Sequence, residues 1–411
     1  MSFDPAKVRR EFPLLAEADR AGRPLHYLDN AATAQVPDVV IEAVAQQDRR
    51  LRANVARGVY RLAEDATAAY EAARDDVAAY VGAAPGEIVF AGNCTAAINI
   101  AALAFGETLA QGDRIVVSEL DHHSNIVPWQ LLAARRGVAL DWWPTTPEGT
   151  LDAARLDALI GPRTKLIAAS HGSNVTGARL DVAAVVAAAK RVGALVLLDG
   201  AQVVPHGALD LHKLGVDFYA FSGHKMYGPT GIGVLWTRRA LLETLPPAFG
   251  GGGMIGRVER SGASWAPPPA RFEAGTPPVA QAVGLAAAAN WIGQLDRGAV
   301  DAHLQLLAAR LIDGLQAIDR QRRIVRLVGP PAGHGRLPVV SFEVKGAHPH
   351  DLCQILSESN VCLRGGHHCA QPLMDALGLT GTVRASLAPY NDEDDVDALL
   401  EGLDRAIERL L

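Results

Sequence analysis

The stretch Asp217-Phe218-Tyr219-Ala220-Phe221-Ser222-Gly223-His224-Lys225-Met226-Tyr227-Gly228-Pro229-Thr230-Gly231-Ile232-Gly233 joins two kinds of sequence. Phe218–Phe221 is apolar and aromatic, as a buried strand is. The run breaks at Ser222-Gly223-His224-Lys225 and passes into a loop rich in glycine. Lys225 is left at a strand end, among small residues that let a ligand approach the backbone. Desolvation there favours the neutral amine, the form that makes a Schiff base. A single lysine is most often a solvated surface residue, so the neighbouring segments decide its meaning.

Working outward, the same strand–loop–helix pattern repeats. Strands are expected at 87–91, 114–118, 165–170, 194–198 and 216–221, with helical periodicity between them. Such alternation implies a mainly parallel sheet covered on both faces. In open parallel sheets ligands sit beyond the carboxyl ends of the strands. Five polar clusters fall at such ends: Gly92–Thr95, His122–Asn125, Ser173–Asn174, Asp199–Gln202 and Ser222–Lys225. Residues 5–20 read as a helix leading to a strand at 25–28. Residues 300–411 read as a smaller α+β unit, with helices at 300–320, 349–359 and 392–410 and strands at 324–328, 338–344 and 361–364.

The 411 residues carry 49 % hydrophobic side chains, enough for a sizeable core, and a net charge of −6. No basic field points to nucleic acid, and no apolar run reaches the roughly 18 residues of a membrane span. Residues 1–20 lack the apolar core of a signal peptide. The four cysteines, Cys94, Cys353, Cys362 and Cys369, do not form the paired spacing of zinc or dithiol motifs, so no metal is expected. A cytoplasmic protein with reduced thiols is the expectation.

Asp199 ends an apolar strand, a costly place for a lone carboxylate. It is either a helix cap or the partner of a buried cation such as a protonated pyridine nitrogen. Together with Lys225 it describes pyridoxal phosphate: a lysine for the aldehyde and an acid for the ring nitrogen. Gly92-Asn93-Cys94-Thr95 at a helix start offers a phosphate backbone N–H groups, the helix dipole and a hydroxyl. Ser222 and His224 add two donors. His122 follows a strand and is placed to lie flat on an aromatic ring. Cys369 follows His367 and His368 in a glycine-rich loop, where an imidazolium lowers a thiol pKa. Arg364 and Arg384 are the clamps for a substrate carboxylate, since a guanidinium fork matches it bidentately.

So assembled, the chain resembles the class V aminotransferase family of fold-type I pyridoxal-phosphate enzymes. Within it, the chain is similar to a group II, SUF-type cysteine desulfurase, close to the selenocysteine lyases. The segments that carry the resemblance span 27–32, 121–129, 173–177, 199–202, 221–233, 271–276, 364–374 and 383–391. The family implies an α/β fold with a large domain, 20–295, built on a mainly parallel seven-stranded sheet. A smaller α+β domain, 1–19 plus 296–411, would carry the cysteine loop. Lys225 would hold the cofactor covalently and Asp199 would pair with its ring nitrogen. Gln202 and Asn174 would bond the ring hydroxyl, and His122 would stack on the ring. Thr95, Cys94, Ser222 and His224 would hold the phosphate. Thr276 would reach the phosphate of a neighbouring subunit, which implies a homodimer. Arg384, with Arg364 and Ala31, would bind the substrate. Cys369 would take the sulfur of L-cysteine as a persulfide, leaving L-alanine, and pass it to a SUF acceptor protein for iron–sulfur cluster assembly. A selenocysteine lyase, or another class V lyase or aminotransferase, is the alternative. The chain departs from the family at Ala56, where histidine is usual, and at Gly92-Asn93-Cys94, where Arg-Gly-Thr is usual.

Overall fold

The computed structural model describes residues 3–207, 209–333 and 335–411; Met1 and Ser2 of the expected 1–19 segment lie outside them. Seven strands form the central sheet. In spatial order they are Ile88–Ala91, Gly233–Thr237, Phe218–Ser222, Leu195–Asp199, Thr164–Ser170, Arg114–Ser118 and Ala139–Trp143. All run parallel except Gly233–Thr237, which is antiparallel to both neighbours.

Alternate residues of each strand feed two cores. Tyr219, Phe221, Leu198 and Ile167 pack on one face, and Phe218, Ala220, Leu197 and Ile115 on the other. Burial on both faces is why Phe218–Ser222 reads as an unbroken apolar run. Helices Arg61–Val81, Val182–Val192 and Val279–Gly293 cover the first face, and Cys94–Gly106 and Val127–Arg136 cover the second. Two glycines are required by close approach. A Cβ on Gly200 would stand 2.0 Å from the Tyr219 ring, and one on Gly233 would stand 2.5 Å from the Asn93 backbone.

A second, antiparallel sheet has the order Val325–Val328, Val339–Val344, Thr382–Ser386, Arg364–Gly366. Helices Arg297–Arg322, Pro349–Ser357 and Glu393–Leu410 pack on it around Leu311, Phe342, Leu352 and Leu399. The strand expected at 361–364 is two strands. Val361–Cys362 pairs in parallel with His26–Tyr27, and Arg364–Gly366 turns into the smaller sheet. That break sets Arg364 directly opposite Arg384 in the ladder. The helix expected over 5–20 is likewise two, Pro5–Arg9 and Pro13–Arg20, because proline donates no N–H to continue the first and is preformed to start the second. Phe12, just before the second, packs its ring against Tyr227, Trp291 and Tyr390. Among the described residues no helix is long and apolar enough to cross a membrane.

Candidate active site

The carboxyl ends of the parallel strands face the Arg364 and Arg384 end of the smaller sheet across a cleft of about 660 Å³. Strand Phe218–Ser222 ends in one helical turn, Gly223–Lys225, which delivers Lys225 to the cleft floor. Burial lowers the Lys225 ammonium pKa against the opposing pull of Asp199. The residue keeps some surface open to the cleft, so the amine is both neutral-leaning and reachable.

Asp199 ends the adjacent strand and lies in the same cleft. One oxygen accepts the Ala201 N–H at 3.0 Å and the Cys94 thiol at 3.3 Å, and the other accepts the Ser124 hydroxyl at 3.2 Å. Desolvation, and then Asp199 itself, push the Cys94 thiol well above the usual range. Cys94 is therefore a protonated S–H donor to Asp199, standing where the family pattern has a hydroxyl. His122 lines the same cleft. Its Nδ1 accepts the Ser124 N–H at 3.1 Å. The same Nδ1 lies 2.8 Å from Ser124 Oγ. Desolvation first, and Lys225 second, push its pKa down to about 4, so the ring is neutral.

Helix Cys94–Gly106 points its N-terminus at the cleft. Asn93 caps it by accepting the Ala96 N–H at 2.9 Å, and the Cys94 N–H donates to Ser222 Oγ at 2.8 Å. Thr95, Ser222 and His224 gather around this end. His224 Nδ1 lies 3.2 Å from Thr33 Oγ1, and burial pushes its pKa down to about 4. Asn174 and Ala31 also line the cleft. Gln202 sits behind it, in a narrow adjoining cavity of about 10 Å³ shared with Lys225, and spends its amide N–H on the Ala31 carbonyl at 2.8 Å. Thr276 lies elsewhere, beside Asn54 in two outer hollows of about 370 and 650 Å³.

Cys369 closes the cleft from the smaller sheet's side. It is exposed. The other three thiols are held protonated by burial: Cys353 is pushed up to about 12, and Cys362 and Cys94 are raised. His368 and Cys369 have φ of 52° and 55°, a left-handed conformation that non-glycine residues hold only when their surroundings impose it. Asn174 donates to the His368 carbonyl at 2.9 Å, and His368 Nε2 lies 2.9 Å from Thr382 Oγ1. Burial lowers the His368 pKa to about 3, so this ring is a neutral brace for the loop.

Asp29 was not foreseen in the sequence as part of the site. It holds both arginines. Arg364 reaches its carboxylate through Nε at 3.1 Å and Nη2 at 2.8 Å, and Arg384 through Nη2 at 3.1 Å. Arg384 also donates to the Asn174 carbonyl at 3.0 Å, is 2 % exposed, and leaves its Nε without a partner. Arg364 is half exposed. Two cations opposite one another in a sheet repel; Asp29 offsets one charge and leaves the pair with a net charge of about +1, matched to a single carboxylate.

A neutral-leaning amine, a carboxylate held by three donors, and a helix N-terminus with two hydroxyls and an imidazole nearby form a donor set that fits pyridoxal phosphate. The family model for class-V aminotransferases matches residues 26–399. The chain belongs to the class-V aminotransferase family. Among curated relatives, "Probable cysteine desulfurase 2" of Mycobacterium leprae is 47 % identical, with 99 % of this chain and 97 % of that one covered. The cysteine desulfurase of Serratia proteamaculans is 44 % identical over the full length of both chains. Among solved structures, cysteine desulfurase CsdA of Escherichia coli superposes over the full length of both with a TM-score of 0.91 at 39 % identity. A mutant of C-DES, with glycine covalently linked to its PLP cofactor, gives 0.81 at 27 % identity over 96 % of this chain and 98 % of its own.

Proposed function

We propose that this class-V chain desulfurates L-cysteine by moving its sulfur onto Cys369. The observation that carries the reading is the sorting of the four thiols. Cys94 is buried, Cys353 and Cys362 are partly buried, and desolvation raises the pKa of all three; the one exposed thiol lies on a strained loop facing Lys225 and Asp199. Transamination needs no thiol there. The chain is a pyridoxal-phosphate-dependent cysteine desulfurase.

When bound, the cofactor supplies an electron sink for the substrate's Cα. Lys225 would hold it covalently, with Asp199 against the ring nitrogen and Asn174 and Gln202 toward the ring hydroxyl. Thr95, Cys94, Ser222 and His224 would hold its phosphate, together with the helix N-terminus. Arg384 and Arg364, bridged by Asp29, bind the substrate carboxylate beside Ala31. Lys225, its basicity lowered by burial, would take the Cα proton once substrate is bound. His122, over the same cleft, would assist proton transfer to and from the bound substrate. Cys369 bonds to the substrate sulfur as the Cβ–S bond breaks. The electron pair stays with Cβ, which gains a proton, so L-cysteine and a thiol become L-alanine and a Cys369 persulfide.

The same reading takes the enzyme as a homodimer in which Thr276 of each subunit serves the other's phosphate, and as a donor to a SUF acceptor protein for iron–sulfur cluster assembly. It divides the chain into 20–295 and 1–19 with 296–411. It assigns the cytoplasm, in keeping with four unbridged cysteines. Turnover of L-cysteine by Cys369→Ala tests it: alanine formation falls to the background of the cofactor-loaded protein. Full activity in that variant would remove the sulfur-transfer role.

A further inference from the structure

The turn His123–Asn125 connects the two halves of the site. Its Ser124 bonds Asp199 at 3.2 Å, and its His123 bonds the cysteine loop twice. The His123 N–H donates to the Cys369 carbonyl at 2.8 Å. His123 Nε2 accepts the Gln371 N–H at 3.2 Å. That second bond falls where the loop cannot help itself. Gln371 is the first residue of helix Gln371–Leu377, and the preceding Ala370 makes no side-chain cap. The first N–H groups of a helix have no partner within it, so an imidazole from the central-sheet side supplies one.

The loop needs such a hold. His368 and Cys369 are consecutive left-handed residues, and relaxation of either would swing the thiol away from the cleft. His368 is tied to the smaller sheet through Thr382. The ties to the central-sheet side are Asn174 at the His368 carbonyl and His123 on both sides of Ala370. Burial, and then the neighbouring His367 ring at 6.0 Å, lower the His123 pKa, which keeps the ring in the form that can accept a bond.

We propose that His123 is the positioning residue of the sulfur-accepting loop, clamping Cys369 and Gln371 so that the thiol stands over the cleft. This rests on Cys369 as the acceptor. His123 acts through the loop and not on the substrate, so its loss acts on kcat and spares the KM for L-cysteine. Misplacing a reacting atom by an ångström costs up to about a hundredfold in rate.

The test uses holoenzyme with three substitutions. His123→Leu removes the acceptor, His123→Gln offers an amide oxygen near the Nε2 position, and Gln371→Pro removes the donated N–H at a helix position that suits proline. Alanine formation gives kcat and KM, and peptide mass spectrometry gives the rate of Cys369 alkylation by iodoacetamide. The expected result is kcat down about tenfold in His123→Leu and Gln371→Pro with KM within about twofold, alkylation changed in both, and most of kcat restored in His123→Gln. Wild-type kcat and alkylation in folded His123→Leu would overturn the proposal. So would a folded His123→Gln as slow as His123→Leu. If His123→Leu does not fold, Gln371→Pro decides alone: a wild-type kcat there overturns the clamp, and a reduced one supports it. Alkylation does not depend on the desulfurase reading, so the clamp can stand or fall apart from it.

Discussion

Acidification is expected to unfold this protein through three buried histidines. His171, whose Nδ1 lies 2.8 Å from the Tyr219 hydroxyl, is pushed down by burial to about 4. His206 and His368 are each pushed down to about 3, and each has a buried Nδ1 without a partner. In the unfolded chain all three titrate near 6.5. Below that pH the unfolded state binds protons that the folded state refuses, so stability is full above about pH 6.5 and falls as pH drops toward the folded values. At pH 5 each histidine has cost about 2 kcal/mol. Asp121 works the other way. Burial raises it to about 6, so the folded state takes up its proton first and regains about 1 kcal/mol by pH 5. From these four groups alone the net loss between pH 8 and 5 is about 5 kcal/mol, the scale of a whole domain's stability, and the lowered values of His122 and His224 act in the same direction. Near pH 5 the slope is close to two protons, or about 2.7 kcal/mol per pH unit. Urea denaturation at half-unit pH steps measures this directly. The midpoint should fall steeply below pH 6.5 at nearly constant slope on denaturant. A midpoint flat from pH 6.5 to 5 would refute the burial argument for these rings.

Asp29→Asn removes the carboxylate charge that balances buried Arg384, at a cost of about 3 kcal/mol, while half-exposed Arg364 adds little; the urea midpoint at pH 7.5 reads it, and a loss under about 0.5 kcal/mol would contradict the shared-carboxylate geometry. Arg384→Ala should raise KM for L-cysteine far more than Arg364→Ala does, because only Arg384 combines full burial with an unpartnered Nε; steady-state kinetics with equal effects would count against that ranking. Cys94→Thr should retain cofactor absorbance and stability within about 1 kcal/mol, since a hydroxyl replaces a weak thiol donor to Asp199; loss of the chromophore would give Cys94 a role the geometry lacks.

The central sheet was legible because strands buried on both faces leave apolar runs, and each run stopped at a polar cluster that now lines the cleft or braces it. Lys225, Asp199, His122 and Cys369 came together as the sequence suggested. Other parts left no local pattern. Edge strand Ala139–Trp143 is only half buried and carries Asp141, paired with Arg114, so its alternation is blurred. The hairpin Ile255–Glu259 with Gly262–Trp265 is almost wholly exposed and gives no burial period. Asp29 meets Arg364 and Arg384 across 335 and 355 residues of chain, a contact only the fold creates. His123 stands out in the sequence only as part of the His122–Asn125 cluster; its hold on Gln371 depends on a loop 248 residues away.

The central claim is that one thiol takes the sulfur. Holoenzyme given L-cysteine, then trapped with an alkylating reagent and digested, yields a mass for each cysteine peptide. The account predicts one added sulfur on Cys369 and none on Cys94, Cys353 or Cys362. Alanine formed with Cys369 unmodified, or the added sulfur on one of the other three thiols, would contradict it.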